Sequence, residues 1–152
     1  MRILFLLLFP IFCSAQTFKK DRFIAKNGVI LWSETFEMKD MDTPIITQNL
    51  TEKLRSKPFI QIDSHQKAGI LEGSFMAFGN ISNARFRIDF LYESYIVTVS
   101  SIVVKTEAAE TPLETMLLKT NGDFITQLPD FAEKFDGEMV TFFLITHWLF
   151  DG

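Results

Sequence analysis

The segment NARFRIDFLYESYIVTVSSIVVK, Asn83 to Lys105, leaves a chain little choice but a pair of antiparallel strands. Phe86, Ile88 and Phe90 alternate with Arg85, Arg87 and Asp89, the period of two that gives a strand one apolar and one wet face. After Glu93-Ser94 comes a second run rich in Val, Ile and Thr, whose branched side chains suit a pleated surface. Strands are therefore predicted over 85–92 and 95–105. The apolar face of such a hairpin has to be covered by another layer.

Flanking segments supply more strands and the cover. Asn27-Gly28 marks a tight turn between a short strand over 23–25 and a strand over 29–38. In the latter, Ile30, Trp32, Phe36 and Met38 share one face, interrupted by Glu34. A helix follows: Thr43 is placed to cap it, Pro44 suits its first position, and Pro58 stops it. Ile46, Leu50 and Leu54 recur every four residues, a narrow stripe for a helix lying on a sheet. Strands are predicted over 59–64 and 70–78, and 79–83 is read as a loop into the hairpin. Thr111-Pro112-Leu113-Glu114 has the pattern of a capping box opening a short helix to about Lys119.

The last segment admits two readings. Phe131, Phe135, Met139, Phe142 and Leu149 fit one helical face, whereas 140–150 is β-branched and aromatic enough for a strand. A helix packed across the domain is preferred, although Gly137 weakens it by roughly 1 kcal/mol. The prediction is an α+β domain: one curved antiparallel sheet, a covering helix and C-terminal helices.

The order of strand, helix, Gly-containing strand (AGILEGSF) and hairpin (FRIDFLYESYIVTVSSI) resembles a family of secreted bacterial proteins of unknown function with a TATA-binding-protein-like (TBP-like) fold. The resemblance covers 29–105, with 106–152 as a helical extension. Members carry a Lys-Asp-Gly type of turn followed by Arg or Tyr, where this chain has Glu93-Ser94 and then Tyr95. The resemblance implies a curved antiparallel sheet and no activity.

The chain opens MRILFLLLFPIFCSAQ: one cation, a ten-residue apolar run, then small residues. That is the layout of a secretory signal over 1–15, with cleavage between Ala15 and Gln16. A membrane-spanning helix needs roughly 20 apolar residues. Cys13 also allows the alternative of a lipid anchor, although Phe12 stands where lipoprotein processing prefers a small residue. Removing 15 of 152 residues leaves 137, with an N-terminal segment at 16–28, the domain at 29–152 and no cysteine. The product would be periplasmic or secreted, without a transmembrane segment, and held together by an ordinary core rather than disulfides. Its balance would be 14 basic against 19 acidic residues, which argues against nucleic acid as partner. Lys19-Lys20, the one dense basic pair, reads as a solvated tail.

Chemistry-bearing patterns are sparse. His65 and His147 lack a second ligand at metal spacing, and no nucleophile elbow, P-loop or cofactor motif occurs. Glu34, Glu72 and Asp89 lie on predicted strands, where a pair could converge as in a glycosidase. Carboxylates on a wet sheet face are the commoner explanation. Arg85, Arg87, Tyr92 and Tyr95 around the hairpin form the candidate contact surface, since Arg and Tyr are favoured in interfaces. The ordinary alternative is that Arg85 and Arg87 pair with Asp89 on a solvated face. The leading expectation is a non-enzymatic domain of the cell envelope that binds a protein or a ligand on its sheet. The alternatives are a carrier enclosing an apolar ligand among its Phe residues, and a hydrolase using strand carboxylates.

Overall fold

The computed structural model describes residues 17–145. The leader over 1–15, Cys13, the Ala15-Gln16 junction, His147 and Leu149 lie outside the described residues. Eight strands and three helices follow in the order β1 (Thr17–Lys20), β2 (Phe23–Lys26), β3 (Val29–Glu37), α1 (Thr43–Arg55), β4 (Ile60–Ile62), β5 (Ile70–Phe78), β6 (Ile81–Leu91), β7 (Ser94–Lys105), β8 (Glu110–Pro112), α2 (Leu113–Leu117) and α3 (Asp130–Phe143). The strands form one antiparallel sheet in the order β1-β2-β3-β7-β6-β5-β4, with β8 added to β7. The predicted hairpin, β6 and β7, is its centre.

Local chemistry accounts for the turns. Asn27 and Gly28 both take positive φ, 53° and 73°, as a two-residue turn between paired Lys26 and Val29 requires. The central hairpin turns one residue earlier than expected: Leu91 pairs with Ser94, so Tyr92-Glu93 is the turn, and Glu93 adopts the left-handed conformation. The expected loop over 79–83 shrinks to Gly79-Asn80, because Ile81 already pairs with Val104. Register shifts between Ile81 and Arg85, with Ser101 at φ 51°, mark a bulge in the same pair of strands. Tyr95, Val97 and Val99 are buried before it and Ile102 and Val104 after it, so the bulge switches which parity faces inward.

Lys19-Lys20 is no solvated tail. Both residues belong to β1, and the Lys20 Nζ donates to the carbonyls of Ile125 and Thr126 at 3.4 and 2.7 Å. A second correction concerns the caps. Thr43 is the first helical residue of α1 and its hydroxyl donates to the Leu91 carbonyl at 3.0 Å, while Asp42 holds the cap position. Thr111 lies in β8 and makes no capping box, and the Glu114 carboxylate accepts from the Ile30 backbone N–H at 3.0 Å instead. The helical reading of the last segment holds through Phe143.

The core lies between one face of the sheet and the helices. Ile46, Leu50 and Leu54 of α1 are fully buried, as are Met139 and Phe143 of α3. Phe75 packs against Phe86, Phe142 and Phe143 with centroids 5.5–5.8 Å apart, edge to face, the geometry aromatic quadrupoles favour. Gly73 shows how tight this is. A Cβ there would sit 2.4 Å from the Gln61 carbonyl oxygen and 2.6 Å from Phe86 Cζ. Gly73→Ala is expected to cost about 1–3 kcal/mol, as overpacking of a dense core does. Urea denaturation would read this as a lower midpoint with unchanged slope.

Candidate functional site

The period-2 pattern of the central strands assigns each side chain to one of two faces. Trp32, Phe36, Phe86, Ile88, Tyr95, Val97 and Val99 point to the core, where the buried stripes of α1 and α3 meet them. Between them, Ser33, Thr35, Arg85, Arg87, Asp89, Thr98 and Ser100 point the other way and keep contact with solvent. Among the described residues no helix covers this second face.

At its centre the register sets Arg85 between Ser74 and Ser100, Arg87 between Glu72 and Thr98, and Asp89 between Ile70 and Ile96. The Arg85 fork donates to both oxygens of Asp63, at 2.5 and 3.3 Å. Arg87 donates from Nε and Nη2 to Asp89 at 2.7–3.1 Å, and its Nη1 lies 3.7 Å from Glu72 Oε1. Hydrogen bonding to Asp63 and Asp89 holds the two guanidinium groups above their ordinary pKa. The result is a row of two cations and three carboxylates across β6, β5 and the residue that follows β4. Exposed pairs of this kind contribute little to stability.

The structure brings Arg85 and Arg87 onto one face, as expected, and sets Tyr92 at the edge of that region. Tyr92 is 81% exposed on the hairpin turn, beside the half-exposed Leu91. Tyr95 does not belong to this surface. It pairs with Phe90, is fully buried, stacks on Phe36 at 5.0 Å and donates its hydroxyl to the Phe143 carbonyl at 2.7 Å. The Ile145 N–H donates to the same hydroxyl at 3.3 Å. It shares the parity of Val97 and Val99, so strand alternation turns its ring to the core with them.

The three strand carboxylates do not converge. Glu34 lies on the helix side, paired with Arg22, whose Nη1 lies 2.8 Å from Asp136 of α3. Asp136 also accepts the indole N–H of buried Trp32 at 2.7 Å. Glu72 and Asp89 do approach one another, but both are engaged by Arg87 on an open face. A carboxyl group working as a general acid needs an apolar pocket to keep its proton, and this face offers none. His65 is exposed in the loop after β4, and the described residues contain no group of three His, Cys, Asp or Glu set to hold a metal ion.

On the core side the interior formed by the described residues is closely packed. An enclosed cavity between Ile81, Leu113 and Phe135 holds about 20 Å³, room for a single water. Phe75, Phe86, Phe142 and Phe143 pack on one another in this interior.

Two signals were missed by sequence reasoning. Asp63, the partner of Arg85, lies 22 residues away and enters only through the β4-β5-β6 register. The Trp32–Asp136 contact spans 104 residues and had no local trace.

The fold is the TBP-like class: an α+β domain with a single curved antiparallel sheet and helices on one side. It is similar to the crystal structure of a TBP-like protein from Parabacteroides distasonis ATCC 8503, with a TM-score of 0.52 and 16% identity over 78% of this chain and 94% of that one. A DUF4468 family protein from Bacteroides ovatus ATCC 8483 is similar at a TM-score of 0.50 and 14% identity, over 77% and 81% of the two chains. At these identities the likeness is one of fold. No protein-family profile matches the sequence, and no curated protein does.

Tyr95 yields a prediction with a pH dependence. Tyr95→Phe leaves a carbonyl and an N–H without their buried partner and is expected to cost about 1–3 kcal/mol. Burial pushes the phenol pKa up. The folded state thus keeps the proton to higher pH than the unfolded chain, whose tyrosine titrates near 10. Tyr95's contribution is complete below about pH 10 and is lost as pH rises beyond it. Urea midpoints measured from pH 8 to 11 should fall more steeply for the native chain than for Tyr95→Phe.

Proposed function

We propose that the protein is an exported domain of the cell envelope that binds another envelope protein through the open face of its sheet, without catalysing a reaction. The observation that carries this reading is the division of labour between the two faces. All the covering layer packs on one side, while the other keeps Arg85 and Arg87 in the open with their hydrogen-bonding geometry already set. Pre-ordered Arg groups lose less freedom on binding than mobile ones, and Arg is enriched where interfaces concentrate their energy.

Export is supported by the leader-like opening at 1–15. A protein partner is favoured over a polyanion by the charge of the face, where three carboxylates surround two guanidinium groups. The exposed Tyr92 and Leu91 add an apolar edge of the type found at contact surfaces. Among the described residues the core Phe rings pack on one another and Arg87 engages both Glu72 and Asp89, which favours contact through the sheet face over an enclosed carrier or a carboxylate hydrolase.

Expression of the whole coding sequence in a bacterium with an outer membrane should give a product beginning at Gln16 outside the cytoplasm, read by intact mass after fractionation. A photoreactive residue replacing Thr98, between Ser33 and Arg87 on the open face, should cross-link a discrete partner in the envelope. Arg85→Glu with Arg87→Glu should abolish that adduct while the thermal midpoint stays put. A cytosolic product retaining Met1 would defeat the assignment to the envelope. Cross-linking indifferent to the double substitution would defeat the role of the face.

A further inference from the structure

We infer a second binding site, on the opposite side of the sheet from Arg85 and Arg87, for a single-chain anionic amphiphile: a free molecule with one alkyl chain and a carboxylate or phosphate head. An open groove of about 620 Å³ runs between α1 and the turn that leads into β5. Thr43, Thr47, Thr51 and Arg55, spaced four apart, form its helical wall; Lys67 stands on the opposite bank. The floor is apolar, made by Leu71 and Phe90.

The polar groups of the walls are largely spoken for. The Thr47 hydroxyl donates to the Thr43 carbonyl at 2.8 Å. The Gln66 amide caps the edge of β5, donating to the carbonyls of Asp63 and Glu72 and accepting from the Glu72 N–H at 2.9 Å. Gln48 donates to Glu52 at 2.9 Å. What remains is the Thr51 hydroxyl and two cations, Arg55 and Lys67, neither of which makes an ion pair with any described residue. No acidic side chain lines the groove, although the chain has 19 acidic residues against 15 basic ones. An apolar floor with cations at its rim and no carboxylate in its lining is complementary to an alkyl chain ending in an anion.

Size decides between small molecule and macromolecule. The volume lies within the roughly 300–1,000 Å³ usual for small-ligand sites. Its 12 lining residues fall well short of the roughly 20–30 per side in a stable protein interface. A bilayer surface is disfavoured too, since anionic lipid attracts clustered cations and this chain carries a net charge of −4. The inference is independent of the sheet-face reading, and each can fail alone.

The test is calorimetric titration of the purified chain with decanoate and with decyl phosphate, both below their micelle thresholds. Saturable 1:1 binding is expected. Arg55→Glu with Lys67→Glu should weaken it about tenfold, a loss of the size two rim charges supply. Thr51→Trp, which fills the groove from the helix, should abolish it, and Arg85→Glu with Arg87→Glu should leave it unchanged. Circular dichroism verifies that each variant is folded, and the charge reversal on two exposed side chains leaves the core intact. Absence of saturable binding would overturn the site, as would native affinity in the Arg55/Lys67 variant or decanol binding as tightly as decanoate. Binding to phosphatidylglycerol vesicles without binding to either free amphiphile would overturn it in favour of membrane docking.

Discussion

The pairing of β6 with β7 is the constraint on which the rest of the structure depends. With Phe90 opposite Tyr95 and Ile88 opposite Val97, two alternating strands present their apolar members to the same side. A slip by one residue would turn each of them to solvent. The bulge at Ser101 preserves this condition along the rest of β7. It switches parity where the strand passes Ala84, so Ile102 and Val104 still reach the core. Strands added on either side inherit the register, and the sheet acquires one face that must be covered and one that need not be.

Two polar hooks then hold the cover in place. Trp32 and Tyr95 are buried aromatic groups with one polar atom each, and a buried polar atom without a partner is costly. Both find partners on α3 or just beyond it: Asp136 for the indole, and the Phe143 carbonyl and Ile145 N–H for the phenol. Hydrophobic burial alone would tolerate several placements of a Phe-rich helix on a Phe-rich sheet. Directional bonds at two points select one of them. Lys53 of α1 adds a third tie, donating to the Leu144 carbonyl at 2.8 Å, with its pKa lowered by burial near the Phe142 ring.

The two faces consequently have different liberties. On the core side the described residues are closely packed, and an open groove lies at the rim between α1 and β5. On the other side, side chains answer only to solvent and to their neighbours on the sheet. Guanidinium–carboxylate pairs in such a place contribute little to folding, which leaves their positions free to serve recognition. The TBP-like architecture says where such a surface can exist. It does not say what meets it, because residues grafted on a fold carry the function.

Much of this was written locally. The alternation of Phe86, Ile88 and Phe90 with charged residues declared a strand, the i, i+4 stripe of Ile46, Leu50 and Leu54 declared a covering helix, and Asn27-Gly28 declared a turn. All three express backbone periodicity or single-residue conformational preference, which operate within a few neighbours. Arg85 and Arg87 were legible as surface residues for the same reason. Tyr95 shares the parity of Val97 and Val99, and a turn at Tyr92-Glu93 or at Glu93-Ser94 leaves its ring on their face; its residue type pointed to a contact surface, and strand alternation overrides that. What only the fit of the sheet against α3 supplies is the buried partner for its hydroxyl, the Phe143 carbonyl. The same holds for Asp63 beside Arg85 and Asp136 beside Trp32. Such contacts join distant parts of the chain, so their free energy appears only once the sheet has brought those parts together.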